Sequence, residues 1–402
     1  MIRITNRKAS SLALAVSAML FAPSPVTAAP DTPIRLALFL PTTGTYAGQA
    51  QRQLNGMRLA LSEANYTAGG RKIEAADVEE PQDTQAAVQK VKSLTTGSNR
   101  IDGLLGVFTA PVGNAIRDQL HNSKTVTIIT NTHLRSLTGS RKSPYIFRVS
   151  GTAYANSHSL GDWVGQQKIC KTVISLAANN SVGQEFVRHF LQPVQASGAT
   201  VVDQLWPALG STDFSPYLTK ILQARPACVY VWLNGPDAVR FVQQADQYGL
   251  AKAGIQLLGT SFADRTNVDA QGKSALGVLT VLNWDETLDN PESKHFSEAY
   301  TAKFGVRPDS QSFQGYLGAK ALLKAIDAVE GNVEDGDRLA KAFEATTFVT
   351  GDGGNFRIDP ATHTREQTYS VYRVVDGKNG KPDLKNIQHL AAIVDPGDDV
   401  LP

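Results

Sequence analysis

From residue 33 onward the chain alternates between two kinds of segment, and few folds accept that alternation. Short apolar runs rich in Val, Ile and Leu occur at IRLALFL (34–40), IDGLLGV (101–107), TVTIIT (125–130), TVISLA (172–177), VYVWL (229–233), IQLLG (255–259) and LGVLTVL (276–282). Runs of this length and composition suit strands covered on both faces. Between them lie amphipathic stretches. In the first, Leu54, Met57, Leu61 and Ala64 share one helical face, and the segment stops at Ala68-Gly69-Gly70. Alternating strand and helix units predict parallel sheets with helices on both faces. The units at 33–147 and 170–283 repeat one plan, so the fold class is α/β with two similar lobes. A chain of 402 residues supports that division, because single cores stop growing near about 250–300 residues. An eight-fold α/β barrel is the competing reading on strand count alone.

Open parallel sheets bind ligands beyond the carboxyl ends of their strands, where loops enter helix N-termini. Those loops read PTTGTYAGQ (41–49), FTAPVGN (108–114), NTHLRS (131–136), ANNSVGQE (178–185), NGPDA (234–238) and TSFADR (260–265). They are small, hydroxyl-bearing and amide-rich. Any one of them reads as ordinary capping and turn chemistry. Facing a shared crevice, they read as a binding site. At Thr109-Ala110-Pro111 the proline fits the first helical position, and the N–H groups beside it favour an anion.

Residues 1–28 read as a secretory leader: Arg3, Arg7 and Lys8 give a basic start, SSLALAVSAMLFA a short apolar core, and Val26-Thr27-Ala28 a small-residue cleavage site. A cut after Ala29 would leave Pro30 at the new N-terminus, so the cut is expected after Ala28, with no Cys following to carry a lipid. The leader carries three basic and no acidic residues, so its removal takes the formal charge from +2 to −1. That balance gives no electrostatic case for nucleic acid or an anionic membrane. Cys170 and Cys228 stand just before or at the start of two apolar runs. If those strands are neighbours, their starts lie about 5 Å apart, within disulfide reach. Two buried thiols are the alternative.

Catalytic patterns are scarce. The chain has no G-x-S-x-G elbow, no phosphate-binding G-x-x-x-x-G-K-[ST] loop and no G-x-G-x-x-G after its first strand. Seven scattered His and two Cys offer no metal spacing. His133 stands in a strand-end loop, where a ligand contact and a general base compete as readings. Asp83, Asp237 and Asp264 fit helix caps, and GDGG (351–354) reads as a tight turn. The chain is therefore read as a non-enzyme without cofactor or metal.

The order of several segments is specific. LPTTGTYAGQAQRQLNGMRLALSEAN, QDTQAAVQKVKSL and LLGVFTAPVGNAIRD are followed by YIFRVSGTAYANS, VGQEFVRHFLQPVQASGATVV and STDFSPYLTKILQARPACVYVW. FSEAYTAKFGVRPDSQSFQGYLGAKALLKAIDAVEG and GDGGNFRID come last. In this order, over nearly all of the chain from Pro33 on, the sequence resembles the solute-binding proteins of ABC transporters, in the leucine/isoleucine/valine-binding class with the type I periplasmic fold.

The resemblance implies two Rossmann-like lobes, joined by three hinge crossovers, that close on a small ligand. The crossovers are expected near Phe147-Arg148, Leu282–Trp284 and Asn355–Ile358. This gives an N-terminal lobe of 29–147 plus 284–355 and a C-terminal lobe of 148–283 plus 356–402. Carried over position by position, the family's carboxylate contacts fall at Thr109-Ala110 and Thr132-His133. Tyr46, Gln49 and Asn234 line the rest. Amino-acid binders place an aromatic residue where this chain has Val182, and an acid near Ser261 to meet the α-ammonium. An unpaired buried ammonium is costly, so either Asp264 substitutes or the ligand is a carboxylate without an amino group. Arg135, Arg148 and Arg265 are then candidate carboxylate partners, and Phe108, Trp284 and Phe313 a candidate apolar wall. The expected role is a monomeric periplasmic protein that delivers a small molecule to an ABC permease. A sensing module for a membrane receptor and an exported hydrolase are the alternatives.

Overall fold

The computed structural model describes residues 32–133 and 135–397, with Met1 and Ile2. Apart from those two residues, the expected leader lies outside the described residues. Strand β1 (Ile34–Leu40) is buried along nearly its whole length, as an apolar run inside a parallel sheet must be. It enters α1 (Ala47–Glu63), and the chain continues through β2 (Thr67–Ala68), β3 (Arg71–Glu79), α2 (Thr84–Thr95), β4 (Gly103–Gly106), α3 (Ala110–Asn122), β5 (Val126–Ile129) and β6 (Ile146–Arg148). The second set is α4 (Ala153–Gln167), β7 (Thr172–Ala177), α5 (Ser181–Ala196), β8 (Thr200–Leu205), α6 (Ser215–Ala224), β9 (Cys228–Trp232), α7 (Gly235–Gln247), β10 (Gln256–Thr260), α8 (Arg265–Gln271) and β11 (Leu279–Leu282). Then come α9 (Pro291–Phe304), α10 (Ser310–Ala328), α11 (Gly336–Ala345) and the short strands β12 (Phe348–Val349), β13 (Asn355–Phe356), β14 (Ile358–Asp359) and β15 (Thr364–Arg365). Strands β16 (Ser370–Asp376) and β17 (Pro382–His389) follow.

These strands form two large sheets, ordered β14-β15-β6-β5-β4-β1-β3-β2 and β17-β16-β11-β10-β9-β7-β8. The inner pairings are parallel in both. Helices cover each sheet, and each lobe has its own core. The two-lobed α/β reading holds, and the barrel is excluded by the open strand orders. Among the described residues no helix is long and apolar enough to cross a membrane.

The chain changes sheet three times. It leaves the first sheet after Arg148 and joins the second lobe's core at Ala153. It returns after Leu282, since Trp284 already belongs to the first lobe's core. The third crossing comes later than the expected 355–358. Strand β15 pairs in parallel with β6 at Thr364–Arg148, so the first lobe holds the chain through Arg365, and the second sheet begins again at Ser370. A two-residue pairing leaves no periodic trace in the sequence, which is why the crossing was placed too early. The GDGG turn closes the small β12–β13 pair, and its Asp352 is a buried partner of Arg365 at 2.5 Å.

In the first lobe α1 and α10 cross with their backbones in contact. A Cβ on Gly56 would lie 1.9 Å from the Ser312 carbonyl oxygen, and one on Gly315 would lie 2.1 Å from that of Gln53. Only glycine allows this approach. It brings the start of α10 beside the loop that follows β5.

Cys170 and Cys228 form a disulfide with Cα atoms 5.4 Å apart. Strands β7 and β9 are neighbours, with Val173 opposite Cys228, so the bond ties adjacent strand starts at the end of the sheet away from the crevice. Replacing both cysteines by serine, or reducing the bond, is expected to lower unfolding free energy by about 2–4 kcal/mol. Chemical denaturation with and without reductant measures this.

Candidate functional site

The loops after β1, β4 and β5 face those after β7, β9 and β10 across a crevice. Several interactions join the lobes there. Tyr46 caps the start of α1, packs on Phe108 with ring centroids 5.6 Å apart, and faces Asp237 on α7. Burial, then the Asp237 carboxylate, raises the Tyr46 phenol above its usual range. His133 meets Phe186 of α5 edge to face at 5.4 Å. The Thr266 hydroxyl donates to Asp309 Oδ2 at 2.7 Å. Phe186 in turn stacks on Trp232, the last residue of β9, at 4.8 Å. Rings from both lobes therefore stand at the facing loops.

Hydrogen bonds fix the loop that carries Thr132 and His133. Fully buried Gln53 donates to the Thr130 carbonyl at 3.1 Å and to Gln311 Oε1 at 2.7 Å, while the Thr130 hydroxyl donates to Gln53 Oε1 at 2.8 Å. His133 Nδ1 lies 2.5 Å from the Gly151 carbonyl oxygen. An acceptor there places the proton on Nδ1 and leaves Nε2 as an acceptor. Burial pushes the imidazole down to about 4, so His133 is neutral near pH 7 and is no cationic carboxylate partner. The Thr132 hydroxyl is buried without a hydrogen-bond partner.

The start of α3, expected to hold an anion, already carries one from the chain itself. Glu80, 1% exposed, accepts from the N–H groups of Phe108 at 2.5 Å and Thr109 at 2.8 Å, and from the Thr109 hydroxyl at 2.7 Å. Burial raises its carboxyl to about 7 against the pull of those three donors. What remains for a ligand is the Ala110 end of the helix, whose first-turn N–H has no acceptor within the helix, and the Thr132 hydroxyl.

The three candidate arginines are engaged elsewhere. Arg135 pairs with Asp395, Arg148 donates to the Thr132 carbonyl, and Arg265 sits among Asp285, Glu286 and Asp383. Trp284 and Phe313, expected on an apolar wall, instead stack on each other in the first lobe's core at 5.3 Å; Phe108 belongs to the same core and also packs on Tyr46. Val182 is half-buried against the second lobe's core. Phe186, one helical turn further along α5, is the ring of that helix that meets the His133 loop, and the i, i+4 spacing from Val182 could have pointed to it. Gln49 is half-buried on the first turn of α1, and Asn234 caps α7, its carbonyl accepting from the Asp237 N–H at 3.2 Å. Ser261 has φ +57°, a conformation that points to a constrained turn.

Asp264 is 4% exposed and accepts from the Asn267 N–H at 2.9 Å, capping α8. It faces Asp309, which caps α10 in the other lobe. Burial, then the Asp309 carboxylate, raises Asp264 to about 7. Between its unfolded value and about 7, the folded chain holds a proton that the unfolded chain has lost. The resulting stability is full below that interval and is lost as pH rises through about 7. Asp264→Asn keeps the cap but does not titrate. Between pH 5 and 8 the parent is expected to lose about 2 kcal/mol more stability than this variant, read from denaturation at each pH.

The sequence profile described as Periplasmic binding protein matches residues 33–381. The Leu/Ile/Val-binding protein homolog 6 of Brucella melitensis is 25% identical over 369 residues, covering 90% of this chain and 93% of that protein. The solved structure of an ABC transporter substrate-binding protein from Sphaerobacter thermophilus superposes with TM-score 0.84 at 28% identity, covering 89% of this chain and 98% of the other. A solute-binding protein of an R. palustris ABC transporter, solved in complex with benzoate, gives TM-score 0.82 at 25% identity, covering 91% and 99%. Matched over most of its length and folded as these transport proteins are, the chain belongs to the periplasmic binding protein family.

Proposed function

We propose that this protein closes its two lobes on an aromatic carboxylate without an α-amino group and presents the closed form to an ABC permease. The observation that carries the reading is the clustering of rings at the facing loops: Tyr46 packs on Phe108 in one lobe, Phe186 on Trp232 in the other, and neutral His133 meets Phe186 between them. Such walls match a flat apolar ligand, and a few directed groups set its orientation. The carboxylate would take the Thr132 hydroxyl and the Ala110 end of α3, since a helix N-terminus suits an anion.

The acids nearest the facing loops are already engaged within the chain. Ser261 stands where an acid would be, Asp264 caps α8, and Asp237 accepts from the Gly210 N–H and pairs with Arg240. The benzoate complex of the R. palustris relative supports the same ligand class. In this reading the leader is removed after about Ala28, the mature protein works as a monomer in the periplasm, and the protein carries rather than converts its ligand.

A thermal-shift panel of benzoate, hydroxylated benzoates, leucine, isoleucine and valine tests the assignment. A ligand that binds only the folded protein adds about 2.7 kcal/mol of stability at ~100-fold excess over Kd. The aromatic acids are expected to give the largest shifts. A larger shift with leucine, isoleucine or valine, and none with the aromatic acids, would overturn the ligand class. Phe186→Ala is expected to weaken benzoate binding by roughly 10- to 100-fold, the equivalent of about 1.5–3 kcal/mol of lost apolar burial. Tyr46→Ala should weaken it while leaving the thermal midpoint of the free protein nearly unchanged. Isothermal titration measures both.

A further inference from the structure

The last described residues follow an unexpected path. Strand β17 ends in the second sheet at His389. Leu390 then donates its N–H to the Tyr369 carbonyl at 2.8 Å, and Ile393 exchanges backbone hydrogen bonds with Gln367 at 2.8 and 3.0 Å. Gln367 belongs to the third crossover, and its side chain donates to the Val149 carbonyl, in the first crossover, at 2.9 Å. The tail therefore runs beside the hinge as one more strand of it. Two residues later it is in the other lobe. Asp395, 3% exposed, accepts from Arg135 Nε at 2.9 Å and pairs with Arg135 Nη2 at 2.6 Å. Its Oδ1 also accepts from the Gly397 N–H at 2.9 Å. The backbone at Gly397 lies so close to Gly139 that a Cβ there would come within 3.0 Å of the Gly397 oxygen.

Arg135 sits two residues after His133 and three after Thr132, in the same strand-end loop. Its other face lies over the Tyr154 ring at 5.4 Å, and Tyr154 is in the first turn of α4 in the second lobe. A guanidinium does not give up its charge, so a buried one depends on its carboxylate. The position of this loop is thus bound to a carboxylate supplied by the tail and a ring supplied by the opposite lobe.

We propose that residues 390–397 are a fourth, non-covalent tie between the lobes, and that Asp395, through Arg135, positions the loop bearing Thr132 and His133. The hinge part of this proposal is independent of the ligand. The positioning part rests on the reading of that loop as a binding element.

Hydrogen–deuterium exchange on the ligand-free mature protein tests the tie without a ligand. In Asp395→Asn, amides of 131–137 are expected to exchange on the order of 10-fold faster, while amides of β1 and β7 keep their parental rates. Small-angle scattering of the same sample should show a larger radius of gyration. Asp395→Glu should restore slow exchange in the loop. Gly397→Ala, which disturbs the tail contact without removing a charge, is a second probe should Asp395→Asn fail to fold, and is expected to show the same local pattern. Unchanged exchange in 131–137, or a rise spread evenly over both lobes, would overturn the proposal. Benzoate dissociation, followed by stopped flow, is expected to be at least several-fold faster in Asp395→Asn. If benzoate fails to bind even the parent, the ligand assignment falls, and exchange still decides the tie.

Discussion

The buried amide of Gln367 is a small contact on which the arrangement of the molecule depends. It joins the third crossover to the first through Val149, while its backbone pairs with Ile393. The first and third crossings and the tail are thereby gathered together. Parallel sheets place all their strand-end loops on one side. Once two such sheets are hinged along an edge with those sides facing, the loops must form opposite walls of one crevice. Closure then needs only small backbone changes at the hinge, and a ligand favours the closed form through contacts that span both walls.

Within the crevice, the question is which polar groups remain unspent. Glu80 uses two N–H groups at the start of α3, His133 spends Nδ1 on Gly151, Arg135 and Arg265 answer internal acids, and Arg148 donates to the Thr132 carbonyl. Buried polar groups carry a large penalty unless paired, so the chain satisfies most of them itself. In the proposed reading the few that remain would set a ligand's orientation, and the rings would supply contact area. The same logic explains the facing Asp264 and Asp309. Each caps a helix in its own lobe, and closure brings the two caps together, at a cost that a proton relieves.

Legibility followed burial. Strands covered on both faces, such as Ile34–Leu40 and Cys228–Trp232, were plain as apolar runs. Strand β8 at the edge of its sheet exposes most of its residues, and β3 is exposed in alternation; neither stood out from its surroundings. Glycine-rich and capping loops marked where the crevice lies. Which side chain enters it was harder. Trp284 and Phe313 pack into the first lobe's core, and Phe108 belongs to that core too, because aromatic character says nothing about which way a ring faces. Phe186 escaped notice because the matching position in its helix holds Val182, one turn away. Glu80 and Asp395 carried no local pattern, since each acts on a group distant along the chain.

The sequence by itself determined the class of fold and the location of the crevice, because short apolar runs alternating with amphipathic helices have few packed solutions. It also set the pairing of Cys170 with Cys228 within reach, once their strands were taken as neighbours. Only the tertiary structure decided which polar groups are already spent and which rings pack together at the facing loops. Those choices depend on partners far apart along the chain, such as Glu80 with Thr109 and Arg135 with Asp395. Local periodicity records how a segment is buried, whereas the pairing of buried charges is settled only when distant segments meet.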